Sequence, residues 1–142
     1  LRKQFLKHSD PYSVRAQTST PFWRANNYWN TLRPDILIES TEDERRFVLD
    51  TKWKDVSSAG PSSSDLQQLF AYSQFFQSSK NALLYPGKTN NIRQGRYAIT
   101  TNWSDRILCS VINLGLESKI NNWQEAIYIA IIHWMHDTEV VC

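Results

Sequence analysis

Two short apolar runs, Ile36-Leu37-Ile38 and Phe47-Val48-Leu49, stand on either side of a polar octet, ESTEDERR. Runs of this kind separated by a polar turn read as an antiparallel hairpin. The register is taken from a turn placed on the most polar residues of the octet. With the turn centred on residues 41–44, Ile38 faces Phe47 and Asp35 faces Asp50. Directly opposed residues have Cβ atoms about 4.5–5.5 Å apart, and like charges there repel. Two carboxylates held that close either share a proton or bind a cation.

Side chains alternate along a strand, so Phe47, Leu49, Thr51 and Trp53 point one way and Val48, Asp50, Lys52 and Lys54 the other. A half-buried antiparallel strand would turn the second set to water. Lys52 would then be the centre of a surface salt-bridge patch, which contributes little. The opposed pair Asp35 and Asp50 argues for chemistry instead. Mg²⁺ is commonly held by one or two carboxylates together with phosphate oxygens and waters. Lys52 would orient or deprotonate the attacking water, or neutralise a pentavalent phosphate.

The rest of the chain supplies a frame for this hairpin. Leu1 to Lys7 reads as a helix end, Tyr12 to Thr18 as a strand, and residues 19–33 as a loop or irregular hairpin. SSAGPSSS is a loop, and Ser64 opens a helix through the capping box Ser64-Asp-Leu-Gln67. Asn81 to Tyr85 reads as a buried strand closed by Pro86-Gly87. Strands follow near residues 96–100 and 107–113, then a helix from Asn121 to His136. This order of strands and helices implies a mixed sheet with helices packed on it.

The chain has 142 residues, of which 41% are hydrophobic and 13% aromatic, with six Trp. That suits one domain with one core over residues 1–142, and the start at Leu1 rather than Met raises the expectation of a fragment of a longer chain. The formal net charge of +2 is too small to argue for nucleic acid. Its distribution is uneven, with six Lys/Arg against one Asp in residues 1–34 and four against eight acids in residues 35–65. An acidic centre beside a basic segment suits a cation site next to a polyanion, and ordinary surface variation equally. Cys109 and Cys142 form neither a zinc motif nor a secreted framework, which indicates a reduced, cytoplasmic setting. No segment has the length and apolarity of a membrane span, and no Gly-rich phosphate loop is present.

Pro34-Asp35, an apolar strand, then Asp50-x-Lys52 at the end of the next strand resembles the PD-(D/E)xK pattern of restriction-endonuclease-like nucleases. The blocks LRPDILIE, FVLDTKWK, SDLQQLFAY and NALLYPG, in this order, resemble the C-terminal nuclease domain of the McrC family. The likeness covers roughly residues 33 to 87, with a looser echo in CSVINLGL. It implies an α/β, restriction-endonuclease-like mixed sheet flanked by helices. By the same resemblance Asp35 and Asp50, with Thr51, would hold Mg²⁺, for which Mn²⁺ would substitute, and Lys52 would be catalytic. Gln68 and Tyr72 would match a Q-x-x-x-Y element on one helix face, Gln68 serving catalysis and Tyr72 the DNA. Lys54 would contact phosphate. The implied activity is endonucleolytic hydrolysis of double-stranded DNA beside an McrB-like, GTP-driven AAA+ motor, in a bacterial or archaeal cytoplasm. The alternative is a non-catalytic module of the same fold that clamps DNA. Nucleases of this fold often add an acid from the first helix. Residues 1–34 contain Asp10 alone, so either that helix is truncated or the site works with two carboxylates, which speaks against a second metal.

Three further signals stay open. RANNYWN has the composition of a single-strand binder and also of a packed loop, and Arg15 and Gln17 lie near enough to the sheet to touch DNA. His133 and His136 have a metal-compatible spacing but also suit the C-terminus of a helix. In the last helix Trp123, Ala126, Ile127, Ala130, Ile131 and Trp134 form one apolar stripe, while Tyr128, Ile129 and Ile132 lie outside it. A helix apolar nearly all round is covered on more than one side. A second copy of the chain, a missing N-terminal part, or the loop at 19–33 would cover the second face.

Overall fold

The computed structural model describes residues 1–53, 60–87, 91–99, 102–115 and 120–137. Lys54, part of the SSAGPSSS loop, Cys142 and the side chain of Trp123 lie outside the described residues. Helix α1 (Arg2–His8) leads into β1 (Tyr12–Ala16), followed by the ribbon of β2 (Thr20–Ala25) and β3 (Tyr28–Leu32). The central hairpin is β4 (Ile36–Ser40) and β5 (Arg46–Thr51). Helix α2 (Ser63–Phe76) crosses to β6 (Lys80–Gly87), and β7 (Asn91–Ile99), β8 (Asn102–Gly115) and α3 (Ile120–His136) complete the chain.

Six strands form one mixed sheet in the order β1-β4-β5-β6-β8-β7. The β4–β5 pair is antiparallel, with Ile38 opposite Phe47 and Ile36 opposite Leu49, the register expected from the polar turn. Strand β5 then pairs in parallel with β6, and β6 in parallel with β8. The crossover through α2 is what makes parallel neighbours possible, since parallel strands cannot be joined by a tight turn.

Helices cover both faces, so β5 is buried on both. Phe47 and Leu49 pack with Phe5 of α1 and Tyr128, Ile131 and Trp134 of α3. Val48 packs on the other face with Leu69 and Tyr72 of α2. The face that an antiparallel strand would show to water is therefore closed: Val48 is 0% exposed and Asp50 4%.

Three local expectations shift. The N-cap of α2 is Ser62, whose hydroxyl accepts from the Asp65 amide at 3.3 Å, so the helix starts one residue before Ser64. Strand β6 does not close at Pro86-Gly87 but pairs through Gly87 with β8. Its β5 neighbour has already ended at Thr51, opposite Leu84, and a missing N–H is tolerated at such an edge. Residues 19–33 form the irregular hairpin, with a bulge between Pro21 and Trp23 and Asn26 at φ 50 in its turn. Asn tolerates that left-handed conformation better than most residues.

The second face of α3 is covered in part by α1. Tyr128 stacks on His8 at 4.5 Å, meets Phe5 edge-on, and donates its hydroxyl to Asp10 Oδ2 at 2.5 Å. Ile132 is partly buried against the same cluster, while Ile129 stays 57% exposed. At the end of α3, His136 Nε2 pairs with the Tyr12 hydroxyl at 3.2 Å. No helix among the described residues is long and apolar enough to cross a membrane.

Candidate active site

Asp35, Asp50, Thr51 and Lys52, singled out in the sequence, meet where β4 begins and β5 ends. Asp35 immediately precedes β4, one step beyond the last paired residues, Ile36 and Leu49. It is fixed by Thr51, which donates to Asp35 Oδ2 both its amide, at 2.8 Å, and its hydroxyl, at 2.5 Å. Lys52 follows directly, and its amide donates to Leu84 O of β6 at 2.8 Å. The backbone that presents Thr51 and Lys52 is thus held by the Asp35 side chain on one side and by β6 on the other.

Asp50 is the buried member of the group. Its Oδ2 has no well-aligned hydrogen bond, and the Lys52 ammonium approaches that oxygen to 2.5 Å. The contact counts as an ion pair by distance, but its geometry leaves the oxygen short of a directional partner. Burial pushes the Asp50 carboxyl above its ordinary value; Lys52 pulls it back, and the charges of Asp35 and Asp65 push it further up. For Lys52, burial disfavours the ammonium, but the close contact and charge of Asp50, with Asp65 behind, outweigh it and hold the amine above its ordinary value.

Helix α2 supplies the other wall. Lys52 Nζ donates to Gln68 Oε1 at 2.8 Å, Gln68 Nε2 donates to the Tyr72 hydroxyl at 2.8 Å, and Tyr72 donates to Arg33 O at 3.1 Å. The relay starts at Lys52 and returns to the chain two residues before Asp35. A DNA contact by Tyr72 does not fit this arrangement. Tyr72 is 2% exposed, and its hydroxyl is committed inward. Gln68 is exposed.

Sequence reasoning missed Asp65. It is buried on the first turn of α2, 3.5 Å from Lys52 Nζ, and accepts from the Tyr85 hydroxyl of β6 at 3.2 Å. It is an acid that α2, not the N-terminal segment, brings beside Lys52. Asp10 lies elsewhere, under Tyr128. The available signal was spacing: Asp65, Gln68 and Tyr72 follow one another at i, i+3 and i+7, one face of a helix. Two other candidates have their side chains engaged within the protein, and the Gln17 amide donates to Asp35 O at 2.9 Å. Arg15 pairs with Glu39, and Gln17 accepts from Arg33 at 2.8 Å.

The family described as McrBC 5-methylcytosine restriction system component matches residues 2–86. The chain belongs to that family. The McrBC match ends one residue before β6 does and includes Asp35, Asp50, Thr51, Lys52, Asp65, Gln68 and Tyr72. Among curated proteins none matches the chain. As a member of the McrBC family, it is a component of a restriction system, built on an α/β fold with a mixed sheet.

The residues fit a divalent cation by one observation above all. Asp50 Oδ2 is buried, charged and without a directional partner, on a strand whose neighbour presents a second carboxylate. Two carboxylates are what Mg²⁺ ordinarily takes from a protein. As the side chains stand, the Lys52 ammonium lies against Asp50, and among the described residues no three Asp, Glu, His or Cys side chains converge on one point.

Proposed function

We propose that this McrBC-family chain is the nuclease component of its restriction system, with a PD-(D/E)xK site that hydrolyses phosphodiester bonds of double-stranded DNA. The observation that carries the reading is the underserved Asp50 carboxylate between Asp35 and Lys52. Asp35 and Asp50 would hold Mg²⁺, with Mn²⁺ as a substitute. Bound there, the metal would lower the pKa of a coordinated water and offset charge on the scissile phosphate.

The other groups have their own work. Thr51 holds the Asp35 carboxylate in one orientation through its amide and hydroxyl. Lys52, kept protonated by Asp50 and Asp65, suits stabilisation of the negative charge that grows on phosphate better than abstraction of a proton. Gln68 sets the direction of the Lys52 side chain, and Tyr72 sets Gln68. Lys54 would contact backbone phosphate. The motor for such a component would be an McrB-like AAA+ GTPase, in the bacterial or archaeal cytoplasm.

A second reading has its own support, because Lys52 bridges Asp50 and Asp65 as a structural ion-pair cluster would. A chain locked in that state would clamp DNA without cutting it. Titration of the full chain and its GTPase partner with Mg²⁺ or Mn²⁺, on DNA, separates the two. Cleavage that rises with metal in wild type and is absent in Asp35→Asn and Asp50→Asn supports the nuclease. Near-wild-type cleavage by either variant overturns the metal assignment, and DNA binding without cleavage in wild type supports the clamp.

A further inference from the structure

The β2–β3 ribbon takes no part in the chemistry above, yet it carries most of the exposed aromatic surface. Six aromatic side chains are exposed among the described residues, and five of them are Phe22, Trp23, Tyr28 and Trp29 on the ribbon and Trp53 beside Lys52. The ribbon forms a two-stranded sheet of its own. Trp23 and Tyr28 meet edge-on at 6.0 Å. Arg24 lies opposite Trp29 and sits 4.5 Å over its ring. An isolated hairpin is marginal in water, and four solvated rings on one are hard to explain by folding alone.

Its root is part of the site. Leu32 packs with the core under α2. Arg33 donates its guanidinium to Gln17 and its carbonyl receives Tyr72. Asp35 follows two residues later. From the turn at Asn27 to Asp35 the chain runs eight residues, a reach on the order of 25 Å when extended. The turn of the ribbon therefore lies within that reach of Asp35.

We propose that the ribbon is a stacking platform for unpaired bases of the DNA that flanks the cleaved phosphate. This rests on the nuclease reading. Duplex phosphates would be met by several cations, and the ribbon has Arg24 alone. Rings gain most from the π-faces of bases, about 1–3 kcal/mol for each stacked base, and an intact duplex keeps those faces covered. Aromatic and Arg residues also dominate protein interfaces. Charge favours the nucleic acid: residues 11–34 hold three Arg and no acid, and among the described residues neither Arg24 nor Arg33 has an ion-pair partner.

The test measures binding of the full chain, without divalent metal, to a labelled intact duplex and to the same duplex with a central unpaired stretch. The wild type should prefer the unpaired stretch. Joint Trp23→Ala and Trp29→Ala substitution should lower affinity for that DNA at least about fivefold, the lower end of one stacked base, with an unchanged melting temperature. Trp29→Leu keeps an apolar ribbon without a ring and carries the same expectation should the alanine variant fold poorly. Unchanged affinity in the folded variants overturns the platform. So does a loss confined to association with the GTPase subunit, which would make the ribbon a protein interface. DNA binding without metal-dependent cleavage by the wild type would overturn the nuclease reading whatever the ribbon does, so the two failures are distinguishable.

Discussion

Thr51 grips Asp35 twice through a single oxygen, with the amide at 2.8 Å and the hydroxyl at 2.5 Å from Oδ2. A carboxylate held this way keeps one orientation. Thr51→Val preserves the β-branched shape and removes the hydroxyl bond, which at a charged acceptor contributes about 1.5–3 kcal/mol. The Mg²⁺ concentration needed for half-maximal cleavage should rise roughly tenfold or more. A metal titration that matches wild type would show that the hydroxyl does not position Asp35.

Lys52 lies between two buried carboxylates, 2.5 Å from Asp50 and 3.5 Å from Asp65. Lys52→Met should abolish cleavage and lower stability by about 2 kcal/mol, a partial version of the cost of stranding a buried charge because the lysine is 19% exposed. Adding Asp50→Asn should restore most of the stability and none of the cleavage. Denaturant melts of the two singles and the double form the cycle that checks this.

Asp50 also gives a pH signature. Burial raises its carboxyl in the folded state above the ordinary value near 3.8. The native state therefore favours the protonated form. Its contribution to stability is fully present below that ordinary value and is lost as pH rises through the raised folded value. At neutral pH Asp50→Asn should be more stable than wild type, with a higher melting temperature. The difference should shrink steadily as the pH falls toward 4. A constant difference across that range would contradict the assigned cause.

Tyr128 and Ile129 are neighbours on α3 with opposite environments, 7% and 57% exposed. Tyr128→Ala removes the ring that α1 covers and should cost about 3 kcal/mol. Ile129→Glu should leave both the melt and the sedimentation coefficient unchanged. One exposed isoleucine falls far short of the roughly 800 Å² per partner of a stable interface. A shift in sedimentation on Ile129→Glu would instead support a second copy on α3.

The hairpin register was legible because two apolar triplets around one polar octet can face each other in only one sensible way. That alone brings Asp35 beside Asp50. The depth of Asp50 was not legible, because it depends on α2 closing over a strand whose own pattern suits a solvated face equally well. Asp65 was hidden for another reason: an acid in the first turn of a helix already has a local explanation in the N-terminal amides and dipole. Residues 62–64 are all Ser, so three candidate caps compete and geometry chose Ser62. For α3, periodicity showed a second apolar face, but no pattern in the helix itself identifies α1 as its cover.

The wiring of the site is short-range along the chain. Asp35 and Thr51 are 16 residues apart, Lys52 and Gln68 also 16, Asp65 and Tyr85 20, and Arg33 and Tyr72 39. Closing loops of this size costs little chain entropy, and each doubling adds only about 0.6 kcal/mol. All these links lie within residues 33–85, before β8 enters beside β6. None of these links uses a residue of β7, β8 or α3. Those later elements then act as a buttress. Their surfaces can be rewritten to suit a different assembly without touching a single bond of the cluster they support.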